Sequence, residues 1–131
     1  MIELSVSTHN RIEVVDITSK VQDVIRKEKL ESGVVVVYVP HTTAGVTINE
    51  NADPSVAADL MKGLSKIAPE GAGYAHLEGN ADSHIKSSLV GPSLTVIVEN
   101  GQLVLGTWQG IYFCEFDGPR SRRCFLKVLK G

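Results

Sequence analysis

At 131 residues, with a formal net charge of −2 and 43% hydrophobic residues, the chain suits one globular domain over 1–131 that buries a real core and leaves no room for a second. That balance gives no general field for nucleic acid or an anionic lipid surface, so any recognition of anions has to be local. The longest apolar run, Val34 to Val39, falls far short of the roughly 20 residues of a membrane-spanning helix; the start, Met1-Ile2-Glu3-Leu4-Ser5-Val6, lacks the basic head and apolar run of a signal peptide, and a cytoplasmic protein is expected.

Residues 2–8 and 11–17 alternate apolar and polar around His9-Asn10, which reads as a β-hairpin with His9 in a solvated turn. Ser19 and Gln22 stand in capping-box positions before Val21, Val24, Ile25 and Leu30 at helical spacing, an amphipathic helix whose charged run Arg26-Lys27-Glu28-Lys29 faces water. Gly33 ends it, and Val34 to Val39 is expected as a β-branched strand buried on both faces and stopped by Pro40. The tip of that strand carries His41-Thr42-Thr43-Ala44-Gly45, and Val46-Thr47-Ile48 follows as a second strand. A stiff strand is a good platform for a site, so His41 is either a ligand or a structural histidine satisfied by its neighbours.

Asn49-Glu50-Asn51-Ala52-Asp53-Pro54 leads into a helix capped by Asp53, with Pro54 in its first turn, running to about Ile67 on a core stripe of Val56, Ala57, Leu60, Leu64 and Ile67. Glu50 is left between helix capping and orienting a ligand. The densest chemistry lies in His76-Leu77-Glu78-Gly79-Asn80-Ala81-Asp82-Ser83-His84. If the first part is extended, His76, Glu78 and Asn80 share a face, and Asn80 then caps a short helix patterned on Ala81, Ile85 and Leu89. Such a junction brings His76, Glu78 and His84 to one point, as a divalent metal requires; the alternative is a polar loop whose histidines bond to backbone.

Leu94 to Glu99, the turn Asn100-Gly101 and Gln102 to Leu105 read as a hairpin. Gly106-Thr107-Trp108-Gln109-Gly110 interrupts the alternation, and Trp108 is expected as a core or interface aromatic. Ile111 to Phe116 and Phe125 to Leu129 are expected to form a final hairpin around Asp117-Gly118-Pro119-Arg120-Ser121-Arg122-Arg123. Its three arginines are either solvated or a clamp for phosphate. Cys114 and Cys124 would face each other across that hairpin, where a disulfide is conceivable, although free thiols are expected of a chain without secretion signals.

His41-Thr42-Thr43-Ala44-Gly45, Asn49-Glu50-Asn51-Ala52-Asp53-Pro54, the His76/Glu78-Gly79-Asn80/His84 block and Gly106-Thr107-Trp108-Gln109, four motifs in order, give the chain an end-to-end resemblance to the YjbQ family, also labelled secondary thiamine-phosphate synthase enzymes. The resemblance implies a compact α+β domain, with a mixed and largely antiparallel sheet curved into a half-barrel or sandwich, about three helices packed on it, and assembly as a homotrimer. It also implies condensation of hydroxymethylpyrimidine diphosphate with thiazole phosphate to thiamine phosphate, releasing pyrophosphate. The usual fold for that reaction is a TIM barrel of about 250 residues, so a shared activity here is convergent.

On this resemblance the metal position falls on His41, His76 and His84. Three imidazoles with an open position favour zinc, magnesium being the alternative with its preference for carboxylates and phosphates. Glu78, Asn80 and Arg120 are the catalytic candidates: Glu78 orients a histidine or takes a proton, Asn80 donates to an oxyanion, and Arg120 neutralises the departing pyrophosphate. Thr42, Thr43, Asn49, Glu50, Lys86, Trp108, Gln109 and Arg122 are the candidates for holding a small phosphorylated substrate. Hydrolysis of a phosphorylated or carbonyl substrate by a metal-activated water, or a non-catalytic metal-binding protein, are the alternatives.

Overall fold

The computed structural model describes residues 1–131. Eight strands and three helices follow in the order β1 (Ile2–Ser7), β2 (Glu13–Asp16), α1 (Thr18–Lys27), β3 (Gly33–Tyr38), β4 (Ala44–Glu50), α2 (Pro54–Ile67), α3 (Ala81–Val90), β5 (Ser93–Glu99), β6 (Gln102–Leu103), β7 (Gln109–Glu115) and β8 (Ser121–Lys130). They form a five-stranded sheet, β1-β8-β3-β5-β6, and a three-stranded sheet, β2-β7-β4. The α+β class with three helices on a curved or sandwiched sheet is as expected, except that every pairing is antiparallel rather than mixed. No helix is long and apolar enough to cross a membrane.

Two expected hairpins do not form. β1 pairs with β8 in the large sheet and β2 with β7 in the small one, so residues 8–12 are a crossing between sheets and not a tight turn. At the other end of the chain β7 and β8 likewise belong to different sheets, and the loop 117–120 carries the chain across. Local alternation is the same for a hairpin as for two strands that separate, and the partners of β1 and β2 lie 96 to 124 residues away.

The main core fills the space between the sheets. Val6, Val35, Val37, Val96, Val98, Cys124 and Leu126 meet Ala44, Val46, Ile111 and Phe113, while Val21, Val24 and Ile25 of α1 close one end. A second cluster lies behind the small sheet, where Tyr112, Cys114 and Phe116 meet Ala57 of α2. β7 is therefore the strand buried on both faces. β3, expected in that role, buries Val35 and Val37 but turns Tyr38 outward, 46% exposed. The two thiols sit in different clusters, both free and fully buried, which rules out the disulfide conceived between them. Burial pushes Cys114 up to about 12 and Cys124 up to about 11, leaving almost no thiolate at neutral pH. An aromatic disulfide reagent is expected to label neither in the native protein and both after unfolding.

Each helix starts on a residue that meets its free N–H groups or fails to. Asp53 caps α2 as expected, its Oδ1 accepting from Ser55 N at 2.9 Å. The N-cap of α1 is Ile17, two residues before the expected cap Ser19, and it makes no side-chain bond; Asp16 takes the Thr18 N–H at 2.9 Å instead. Gln22 is no capping-box partner. It reaches the β5–β6 turn, donating to Gly101 O and accepting from Leu103 N. The stripe expected on α2 is only partly covered, since Ala57 is buried and Ile67 is 70% exposed.

α3 reverses the expectation most clearly. Its apolar positions Ile85 and Leu89 are exposed, while Asp82, Ser83, Lys86 and Ser87 are buried. The helix docks by hydrogen bonds at sheet ends: Ser83 Oγ donates to Phe116 O beyond β7, and Ser87 Oγ to Ala44 O at the start of β4. Between them, Lys86 Nζ bonds Asp82 Oδ2 at 2.7 Å and Arg11 reaches Asp82 Oδ1 at 3.1 Å. A buried polar face is tolerated because its groups are paired.

Candidate functional site

Docking α3 on those sheet ends builds a cavity of about 620 Å³ with two walls. One wall comes from the end of β3 and the start of β8: Tyr38, Pro40, His41, Thr42, Thr43, Arg120 and Arg122. The facing wall comes from the approach to α3 and its first turn: His76, Glu78, Asn80 and His84. Only one of the eleven lining residues is hydrophobic, so the cavity suits a small, polar molecule.

Arg122 and Thr43 are placed by a buried network beneath the floor. Glu115 is fully buried and Arg122 only 4% exposed. Arg122 Nε donates to Glu115 Oε1 at 2.9 Å and Nη2 to Glu115 Oε2, while Nη2 also reaches Thr43 Oγ1 at 2.8 Å. Thr8 Oγ1 adds a bond to Glu115 at 2.7 Å, and Asp117 N another at 3.1 Å. Burial alone would raise the Glu115 pKa, but the bonds from Arg122 and Thr8 outweigh it and hold the carboxyl below its ordinary value.

Arg120 is 52% exposed and forks onto Asp117, through Nε to the backbone O and Nη2 to Oδ2, both at 2.8 Å. The same Oδ2 accepts from Asn80 Nδ2 at 2.8 Å. Asp117 thus ties the two walls together. This bond also corrects the expected cap. Asn80 occupies the N-cap position of α3 but its side chain caps nothing, and its Oδ1 is the one buried side-chain polar atom without a partner.

His76 and His84 face each other edge-on, ring centroids 5.2 Å apart. The approach to them is a series of turns and not the expected extended arm, with Gly79 at φ +75° and Leu77 fully exposed. His41 lies on the opposite wall, where its Nε2 accepts the Arg123 backbone N–H at 2.9 Å. Burial, then the charges of Arg122 and Arg123, lower its pKa. No group of three or more His, Cys, Asp or Glu side chains is arranged to hold a metal ion. The three histidines on which the resemblance places zinc or magnesium, His41, His76 and His84, are thus not gathered into such a group in this chain.

Five candidates lie elsewhere. β4 and β7 pair from Ala44↔Glu115 at the cavity end to Glu50↔Gln109 at the other, a run of six residue steps, or about 20 Å. Asn49, Glu50, Trp108 and Gln109 are at that far end. There Asn49 Oδ1 accepts from Glu50 N, Gln109 Oε1 accepts from Gly106 N, and Asn51 N bonds Trp108 O. Gly110 is needed for this turn, because a Cβ would stand 2.3 Å from Asn51 Nδ2. Trp108 is 62% exposed, not a core residue of this chain. Lys86 is buried against Asp82 and does not line the cavity.

The sequence reading missed Tyr38 and Pro40 on the cavity wall, and Thr8, Asp82, Glu115 and Asp117 behind it. Two of these carried a signal: Glu115 is the one charge in the apolar run Ile111 to Phe116, and Asp82 stands four residues before Lys86.

A family model described as UPF0047 protein YjbQ-like matches residues 2–131. A UPF0047 protein of Methanocaldococcus jannaschii is 52% identical over 129 residues, 98% of this chain and 94% of its own. UPF0047 protein YugU of Bacillus subtilis is 52% identical over 127 residues, 96% of each. The crystal structure of an uncharacterised YjbQ/UPF0047 family protein of Clostridium acetobutylicum matches with a TM-score of 0.96 at 51% identity, covering 98% of this chain and 100% of the other.

Proposed function

Since the chain belongs to the YjbQ-like UPF0047 family, we propose that its two-walled cavity binds a small phosphorylated molecule and transfers an organic group from it with departure of pyrophosphate, a reaction of the thiamine-phosphate synthase type. The observation that carries this reading is the pairing of opposite chemistries across one polar space. Hydrogen-bond donors from Thr42, Thr43, Arg120 and Arg122 line one side, and the imidazoles of His76 and His84 with the carboxyl group of Glu78 line the other.

Each guanidinium is already matched by a carboxylate, Arg120 by Asp117 and Arg122 by Glu115. The wall meets an anion with fixed donors more than with net charge, and fixed donors need no reorganisation as charge builds on a leaving group. Arg120 takes the departing pyrophosphate through the N–H groups that Asp117 leaves free. The attacking thiazole nitrogen carries no proton: its lone pair forms the new C–N bond as the C–O bond to pyrophosphate breaks. Glu78, exposed and opposite, faces the positive charge that forms on the transferred group, while His84 at the first turn of α3 orients the incoming partner.

The test has two arms. Titration calorimetry with pyrophosphate is expected to show binding to the wild-type protein and roughly tenfold weaker binding to Arg120→Ala, as for one charge-assisted hydrogen bond, with an unchanged melting temperature because Arg120 is a surface side chain. Incubation with hydroxymethylpyrimidine diphosphate, with and without thiazole phosphate, then separates two chemistries. Pyrophosphate released only with the acceptor supports transfer. Release without it identifies a hydrolase, and no uptake of pyrophosphate at all sinks the reading.

A further inference from the structure

We infer that His41 is a neutral imidazole fixed as its Nδ1–H tautomer, and that it serves the cavity as a hydrogen-bond donor to the bound anion and not as a metal ligand. The inference rests on the proposed anion site and says which atom of His41 faces the ligand.

The argument begins in the sheet. β3 pairs with β8 up to Tyr38↔Phe125, and Pro40 then ends the possibility of a ladder. β8 runs on to Ser121, still paired on its other side with β1 through Ser5↔Arg123. On the side that β3 has left, the Arg123 N–H needs an acceptor, and His41 Nε2 supplies it at 2.9 Å. An exposed edge N–H is satisfied by a side chain where the neighbouring strand has run out.

The proton inventory of an imidazole does the rest. A ring nitrogen that accepts from a backbone amide holds a free lone pair, so Nε2 carries no hydrogen, and in the neutral ring the hydrogen is then on Nδ1. Nδ1 has no hydrogen-bond partner within the chain, and only Asn80 Oδ1 is both buried and unpartnered, so Nδ1–H is a free donor on an accessible side chain of the cavity wall. A metal needs a lone pair. The one on Nε2 is already engaged by Arg123, and Nδ1 offers none while it holds the hydrogen. Moving that hydrogen to Nε2 would set two N–H donors against each other 2.9 Å apart. An anion asks for a donor, and that is what the ring presents beside Thr42, Thr43 and Arg122.

Long-range proton–nitrogen correlation on the uniformly 15N-labelled wild-type protein at neutral pH tests the tautomer without any variant. The expected result is a protonated Nδ1 and an unprotonated Nε2 for His41, unchanged by an equivalent of zinc, with the Nδ1–H resonance moving on addition of pyrophosphate. An Nε2–H tautomer, or a zinc-induced shift of either His41 nitrogen, overturns the assignment. His41→Ala is expected to bind pyrophosphate about tenfold more weakly and to take up zinc as the wild type does; a fall in zinc uptake overturns the inference. Wild-type protein that takes up no pyrophosphate overturns the donor role together with the anion site, an outcome read separately from the tautomer.

Discussion

Glu115→Ala is expected to destabilise the protein by about 3–5 kcal/mol, because it strands a guanidinium that has no other counter-charge. Arg122 is 4% exposed and Glu115 fully buried, so water cannot replace the lost carboxylate, and Thr8 Oγ1 and Asp117 N lose an acceptor as well. Urea unfolding followed by circular dichroism measures the loss. The double variant Glu115→Leu/Arg122→Met removes both charges and is expected to recover most of it, since a buried ion pair replaced by apolar groups of similar volume is often neutral. A single variant as stable as the wild type would mean that the pair is not desolvated. pH gives an independent check. The folded-state pKa of Glu115 lies below its ordinary value, so its contribution is fully present above the unfolded carboxyl pKa of roughly 4.3 and is lost as pH falls through the lower folded value. The Glu115→Leu/Arg122→Met protein should show a shallower loss of stability in acid.

Much of the architecture was legible in the sequence because the signals were local. The Asn100-Gly101 turn adopts positive φ at both residues, 52° and 72°, as the dipeptide implies, and Asp53-Pro54 opens α2. What failed depended on distant partners. Nothing in residues 11–17 says that their strand mate is β7, and nothing near Phe116 says that the chain then leaves for the other sheet. The site was half legible for the same reason. His41, Thr42, Thr43, His76, Glu78, Asn80, His84, Arg120 and Arg122 do share one cavity, but four motifs read along a line gave no sign that β4 and β7 would hold Glu50 and Gln109 at the opposite end from Ala44 and Glu115. α3 misled through its pattern. Ile85 and Leu89 mark an apolar stripe, and an apolar stripe points inward only when the surface it meets is apolar; this helix meets the carbonyl ends of two strands.

That polar docking gives the second large effect. Asp82→Ala is expected to cost about 3 kcal/mol or more, as when one partner of a buried pair is removed, because Lys86 is 1% exposed and its Nζ bonds only Asp82. The reverse substitution is milder: Lys86→Met leaves Asp82 with Arg11, whose side chain is 31% exposed and already shares its charge with water. Burial would raise the Asp82 pKa, yet the bonds from Lys86 and Arg11 more than offset it and the folded value is lowered. By linkage, the stability it contributes is present above the unfolded Asp pKa of roughly 3.9 and disappears as pH falls through the folded one. Amide hydrogen exchange along Ala81–Val90 is the sharper readout, since α3 has little apolar packing to hold it once the pair is gone. Faster exchange confined to α3, with pyrophosphate affinity falling alongside it, would show that Asp82 positions Asn80 and His84 for the cavity. Faster exchange with unchanged affinity would leave Asp82 a stabilising residue alone, and unchanged exchange would mean that the helix is held by Ser83 and Ser87 on their strand carbonyls.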